Sequence, residues 1–166
     1  MKRTKAYYHR HAAEILGRIR YATLATVNEE GKPWNSPVFA LHDDQLNIYW
    51  ISDREGQHSR NIRLNGSVFI VVYDSTVPEG EGEGVYIRAK AYELTDKEEI
   101  RLIRRMKKGS GHDDPAPFMD GGGVRRIYKA VPEQLWMNDA EVTDGIFIRD
   151  YRVELDLNEV KRLLAR

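Results

Sequence analysis

The alternation of short β-type segments with turn signals constrains this chain more than any other feature. Tyr21 to Val27 is rich in Thr, Val and aromatic character, and Asn28-Glu29-Glu30-Gly31 supplies turn chemistry before Pro33 to Leu41, which together predict a hairpin. His42-Asp43-Asp44-Gln45 is a second turn. It leads into Leu46 to Ile51, where Leu46, Ile48 and Trp50 share one strand face. Ser67 to Tyr73 is a dense Val/Ile/Phe run, read as the more buried of the next two strands. Val85 to Leu94 alternates Val85, Ile87, Ala89 and Ala91 against Tyr86, Arg88, Lys90 and Tyr92. Val124 to Val131, Gln134 to Asn138 and Ile146 to Leu155 read as closing strands. So many consecutive antiparallel strands leave exposed edges unless the sheet curls onto itself, so the pattern predicts a mainly β (α+β) chain built as a small antiparallel barrel. Pattern alone leaves an OB-like barrel open.

Helices flank this core. Between Thr4 and Arg20, Ala12, Ile15, Leu16 and Ile19 fall at helical spacing, so residues 1–20 hold an amphipathic helix. Gln57 to Leu64 reads as a short helix with Ser59, Ile62 and Arg63 on one face, stopped by Asn65-Gly66. Thr95-Asp96-Lys97-Glu98 matches a capping box with Thr95 as the cap, predicting a helix over 95–108. A short C-terminal helix is expected within 157–166. The glycine- and proline-rich stretches Pro78 to Gly84 and Gly109 to Gly123 read as loops.

At 166 residues the chain is expected to form one domain, 1–166, burying roughly 70% of its extended surface. Its 26 Lys plus Arg balance 26 Asp plus Glu, so no global field favours nucleic acid or an anionic membrane. With no cysteine there is no thiolate ligand, disulfide or cysteine nucleophile, and the cytoplasm is the expected compartment. The first segment is interrupted by His9, Arg10, His11 and Glu14, so it has no apolar signal core, and no run reaches the roughly 20 apolar residues of a membrane span. His9 and His11 do not face one another on a helix, and His112-Asp113-Asp114 lies in a loop, so no metal site is expected.

Three features, in order, carry a family resemblance: Ala22-Thr23-Leu24-Ala25-Thr26-Val27-Asn28 with its Gly31-Lys32-Pro33 turn; a strand ending Trp50-Ile51-Ser52; and Gln57-His58-Ser59-Arg60-Asn61-Ile62 before a Val-rich strand. Fainter matches run through Arg126 to Ala130 and Leu135-Trp136. From Tyr21 to about Asn138 the chain resembles the pyridoxamine 5'-phosphate oxidase-like split barrels. The resemblance implies a split barrel with flanking helices, FMN as cofactor and a homodimer with the cofactor at its interface. It also implies flavin-dependent oxidoreductase chemistry; the charge balance and the lack of an apolar span predict no nucleic-acid or membrane partner. Residues matching Ser52, Gln57 and His58 line the phosphate end in that family, where His58 is often replaced by lysine. Ser59, Arg60 and Asn61 complete the segment. A helix N-terminus supplies free N–H donors for a phosphate, and an arginine such as Arg60 suits bidentate contact. By the same resemblance Ser36-Pro37-Val38 is the strand along the isoalloxazine ring, Ile51 lies beside it, and Trp136 reaches the flavin of the other subunit.

The family's founding oxidase commonly has arginine where Ser36 stands, and it ends in an arginine-rich substrate motif that Ile148 to Arg166 lacks. Oxidation of pyridoxamine phosphate is therefore disfavoured. A deazaflavin-dependent reductase or a flavin-binding protein without turnover remains an alternative within the fold. A β-barrel nucleic-acid binder is an alternative outside it, weakened by the neutral charge balance. No catalytic acid or base is assigned.

Overall fold

The computed structural model describes residues 3–107 and 114–165. Among them the chain runs α1 (Lys5–Arg18), β1 (Tyr21–Val27), β2 (Pro33–Phe39), β3 (Leu41–His42), β4 (Ile48–Asp53), α2 (Gln57–Leu64), β5 (Ser67–Tyr73) and β6 (Gly84–Glu93). α3 (Lys97–Met106), a 3-10 turn (Ala116–Phe118), β7 (Arg125–Thr143), β8 (Ile146–Leu155) and α4 (Leu157–Leu164) follow. All strand pairs are antiparallel, in the order β2-β1-β5-β6-β7-β4-β3, with β8 also on β7. No ladder joins β2 to β3 or β4 among the described residues, so the sheet curls without closing. It is a split barrel with flanking helices.

The barrel interior holds Leu24, Trp50, Ile70, Ile87, Tyr128 and Met137, all nearly inaccessible to solvent, and α1 and α4 cover one side with Ala12, Leu16 and Val160. His9 is buried there, and its Nε2 accepts the backbone N–H of Asp156 at 3.1 Å, joining α1 to the start of α4. A second cluster, Tyr49, Leu94, Ile100, Ile103, Phe118 and Ile127, lies under α3 on the opposite side of β4. β4 is thus packed on both faces.

Several expectations shift. Leu46 is not in a strand but at a turn with φ 58°, fully buried. Its apolar side chain is anchored in the core while the backbone takes the left-handed conformation. β5 and β6 both alternate: Phe69 and Val71 are half-buried between the buried Val68, Ile70 and Val72, while Arg88, Lys90 and Tyr92 are exposed between the buried Ile87, Ala89 and Ala91. Asp96, not Thr95, caps α3, its carboxylate accepting the Glu99 N–H at 2.8 Å. Arg63 of α2 lies at the surface, while Asn61 joins Ser59 and Ile62 inside. Position 108 and His112-Asp113 lie outside the described residues.

The two closing strands expected around Pro132 are one. β7 runs 19 residues, and its register against β6 slips between Arg88 and Ala89, leaving Glu133 as an extra residue beside Pro132. Proline, which has no N–H for a ladder, is accommodated by that bulge. β6 occupies one edge of β7 from Tyr128 to Met137; the other edge takes β4 along Arg125 to Ala130 and then β8 along Leu135 to Thr143. Asp144 and Gly145, both at positive φ, close the β7–β8 hairpin, whose end exposes Val142, Ile146, Phe147 and Ile148.

Candidate functional site

β4 delivers its C-terminal end to a tight turn and then to α2. The Gly56 N–H bonds Asp53 O at 3.1 Å, and the Asp53 carboxylate accepts the Glu55 N–H at 2.7 Å. Glu55 lies 3.4 Å from Arg63 and 3.9 Å from Arg54. Both acidic residues of this turn are therefore engaged locally. A Cβ on Gly56 would stand 3.2 Å from Asp53 O, closer than side chains normally approach, so the position favours glycine. Gly56 is also the N-cap of α2, without a side-chain hydrogen bond, whereas Thr4, Asp96 and Asp156 cap the other three helices through side-chain oxygens. The first-turn N–H groups of α2 keep their donor capacity and the positive end of the helix dipole.

The sequence-derived candidates divide into four groups around this turn. Ser36 and His58 meet: Ser36 Oγ lies 3.1 Å from His58 Nδ1 and accepts the Trp34 indole N–H at 3.0 Å. His58 Nε2 is buried with no hydrogen-bond partner, and burial pushes the imidazole pKa below its usual value. Val38 is buried further along β2, while Pro37 between them points outward and is exposed.

Ser59 and Asn61 turn inward and are spent on the protein. The Ser59 hydroxyl donates to Asp53 O at 2.7 Å, and Asn61 Nδ2 donates to Thr26 Oγ1 at 2.9 Å, with both residues fully buried. Gln57 donates to Asn61 Oδ1 at 2.8 Å and accepts from Arg60 at 2.9 Å, and Arg60 also donates to Glu55 O. The Arg60 guanidinium is therefore folded back along its own helix.

Ile51 and Ser52 line a cavity of about 700 Å³, with Tyr21, Phe39, Tyr49 and Ile103 among its walls and Lys107 and Arg125 at its margin. That volume is in the range of small-molecule sites, and the mixture of apolar walls with a few polar groups is characteristic of them. The Tyr49 hydroxyl is shared between Asp43 Oδ2 at 2.9 Å and Glu99 Oε1 at 3.0 Å, and Lys129 donates to Glu99 at 2.7 Å. Burial and these carboxylates push the Tyr49 phenol far above its usual pKa, so it stays protonated. Ser52 pairs in register with Arg126, which is 3% exposed and whose charge is met by Glu93 at 3.0 Å.

Trp136 stands apart from this cavity. It stacks on Phe69 with ring centres 6.2 Å apart, and the Arg88 guanidinium lies 5.4 Å from its ring; Tyr86 is its register partner on β6. A separate groove of about 1070 Å³ lies between the Gly80 to Glu83 loop and the β7–β8 hairpin, and contains none of the candidates. Three of its carboxylates are engaged: Glu83 by Arg3, Tyr7 and His11, Asp139 by Tyr8 and Tyr151, and Glu141 by Arg149 at 2.7 Å.

A family model described as pyridoxamine 5'-phosphate oxidase matches residues 8–139. The chain belongs to the pyridoxamine 5'-phosphate oxidase family. No functionally curated protein is a significant match. Among solved structures, a candidate pyridoxamine 5'-phosphate oxidase from Listeria innocua aligns at TM-score 0.59 and 22% identity, over 76% of this chain and 94% of that one. A heme storage protein of Vibrio cholerae aligns at 0.60 and 20% identity, over 74% and 88%. A candidate 5-nitroimidazole antibiotic resistance protein of Bacteroides thetaiotaomicron aligns at 0.59 and 19%, over 77% and 81%. At these identities the likeness is one of fold. The oxidase family match stops at Asp139, so most of the β7–β8 hairpin and α4 lie beyond it. No helix among the described residues is long and apolar enough to cross a membrane.

Sequence reasoning missed Trp34, Tyr21, Phe39 and Tyr49. Trp34 was findable, because it lies two residues before Ser36 and strand period two puts both on one face. Tyr21 and Phe39 are paired across the first hairpin, 64% and 44% exposed, with rings edge to face; only the ladder register reveals the pairing.

Proposed function

We propose that this chain is an FMN-binding flavoprotein, acting as a homodimeric flavin-dependent oxidoreductase. The observation that carries the reading is the uncapped N-terminus of α2, joined to the unpartnered His58 Nε2 and followed across the Asp53 to Gly56 turn by a cavity reached from Ser52. Phosphate oxygens need N–H and hydroxyl donors, and a tricyclic ring needs apolar walls; the first turn of α2 has no side-chain cap, His58 Nε2 has no partner, and the cavity walls are largely aromatic and aliphatic. Gln57, His58 and Ser52 would hold the phosphate, and β2 and β4 would flank the ring. Bound FMN supplies hydride or single-electron transfer, while the protein binds it, orients it and keeps water from its face. Ser59, Arg60 and Asn61 support the shape of the helix start, with Arg60 the least involved of the three. Trp136, with Phe69 and Tyr86 on the outer sheet face, belongs to the surface a second copy would cover.

The test is titration of the purified full-length chain with FMN, read by quenching of flavin fluorescence and by the visible spectrum. Quenching that weakens in His58→Ala and changes little in Arg60→Ala supports the reading. A colourless protein that leaves FMN fluorescence unchanged overturns it. A Soret band on addition of hemin without any response to FMN also overturns it, in favour of the ligand class named for the Vibrio cholerae relative.

A further inference from the structure

The hydrogen bonds running from Trp34 through Ser36 to His58 fix more than position. An indole N–H can only donate, so Trp34 Nε1 must give its hydrogen to Ser36 Oγ at 3.0 Å. The serine hydroxyl then has one hydrogen left to place. His58 Nδ1, 3.1 Å away, is the acceptor that geometry offers. If Nδ1 accepts, the ring proton of a neutral imidazole must sit on Nε2. The opposite arrangement, with Nδ1–H donating to Ser36, turns the hydroxyl hydrogen of the half-buried Ser36 out to solvent and puts a bare lone pair on the buried Nε2. Each arrangement leaves Nε2 unpartnered, but only the first spends the serine hydrogen within the protein and leaves a hydrogen on Nε2 to offer a ligand.

We propose that Trp34 and Ser36 are positioning residues that hold His58 in the Nε2–H tautomer, so that His58 offers an oxyanion ligand a neutral N–H donor instead of a positive charge. The ligand class follows from what the neighbourhood lacks. Nε2–H is buried without an acceptor, and the first turn of α2, on which His58 sits, has no side-chain cap. Both features call for the same thing, a group rich in acceptor oxygens. Charge is kept away from the ring: Asp53 caps the Glu55 N–H, Glu55 faces Arg63 and Arg54, and Arg60 turns to Glu55 O and Gln57. Burial of the imidazole works in the same direction, disfavouring its charged form. The inference rests on the proposed phosphate site for the identity of the ligand, but the tautomer does not depend on it.

Two measurements separate the two claims. Long-range 1H–15N correlation spectra of the ¹⁵N-labelled full chain, with His58 assigned by loss of its signals in His58→Gln, report which ring nitrogen carries the proton. The expected result is Nε2–H in the native protein at neutral pH, a mixture of tautomers in Ser36→Ala and Trp34→Phe, and recovery in Ser36→Thr, which keeps the hydroxyl. An Nδ1–H signal, a doubly protonated ring, or a Ser36→Ala spectrum identical to the native one overturns the relay. The second measurement titrates orthophosphate and FMN separately against the same variants. A roughly five- to tenfold loss of affinity in Ser36→Ala, restored in Ser36→Thr, is expected from loss of one oriented hydrogen bond. If FMN and orthophosphate both fail to bind while the tautomer is as stated, the cofactor reading falls and the relay stands. If FMN binds and the tautomer is reversed, the relay falls alone. Unfolding curves of each variant ensure that the spectra report folded protein.

Discussion

His58 carries the clearest chemical consequence among single residues. Its pKa is depressed by burial below the ordinary 6.5, so the folded state binds the proton less readily than the unfolded chain does. The stability this contributes is complete above pH 6.5 and is lost as pH falls through the lower folded value. Chemical denaturation midpoints measured between pH 7 and pH 5 should therefore drop in the native protein, and the drop should be smaller in His58→Gln. An equal slope in both would assign the acid sensitivity elsewhere. Side-chain direction was hidden from the sequence at this scale. Asn61 and Arg60 are adjacent, polar and indistinguishable by pattern, yet one is fully buried against Thr26 and the other lies along the surface of its helix. What separates them is α2's packing against β1 and β2, which follows from strand order, not from the local residue string.

Helix boundaries expose how local rules compete. Thr95 and Glu98 satisfy a capping box, but the chain starts α3 one residue later, and Asp96 takes the cap with Glu98 and Glu99 in its first turn. A carboxylate serves both as N–H acceptor and as a favourable charge at the positive end of the helix, which a threonine hydroxyl does not. Asp96→Ala should cost about 1 kcal/mol of stability, while Thr95→Ala stays within about 0.5 kcal/mol, as measured by urea denaturation. The reverse ranking would restore the earlier frame. Strands β1, β5, β6 and β8 were legible because period-two alternation and turn residues act over neighbouring positions. The continuous β7 was not, because Pro132 is a strand breaker unless a bulge receives it, and the bulge is defined by β6.

For the whole molecule, the outer sheet face is where assembly would show. Phe69, Tyr86 and Trp136 form an aromatic row across β5, β6 and β7, with Arg88 beside it. If this face meets its copy, Trp136→Glu places two carboxylates near the symmetry axis and should convert the dimer to monomer in light scattering, with a loss of roughly 2 kcal/mol or more per interface and weaker FMN binding. A dimer that survives the substitution with its FMN affinity intact moves the interface elsewhere. A small antiparallel barrel was inferable from strand count and the need to hide edges, and the split barrel from the family resemblance, but the strand order came from neither the pattern nor the local residues. Nothing local in Ile48 to Asp53 says that its neighbour arrives more than 70 residues later.

That separation governs how the protein can be made. β4, with Ile51 and Ser52, has only the two-residue β3 beside it until Arg125 to Ala130 emerge from the ribosome. Earlier strands can pair as they appear, since β1 finds β2 and β5 finds β6 within short stretches of chain, and β5 reaches β1 across a shorter span than the one that separates β4 from β7. Assembly of the cavity wall is therefore a late event in synthesis, and loop closure over that distance makes it slow relative to the hairpins. Ribosome-bound chains stalled before residue 125 should show protected amides in β1, β5 and β6 and rapid exchange in β4, and protection of β4 at that length would contradict the sequence of events.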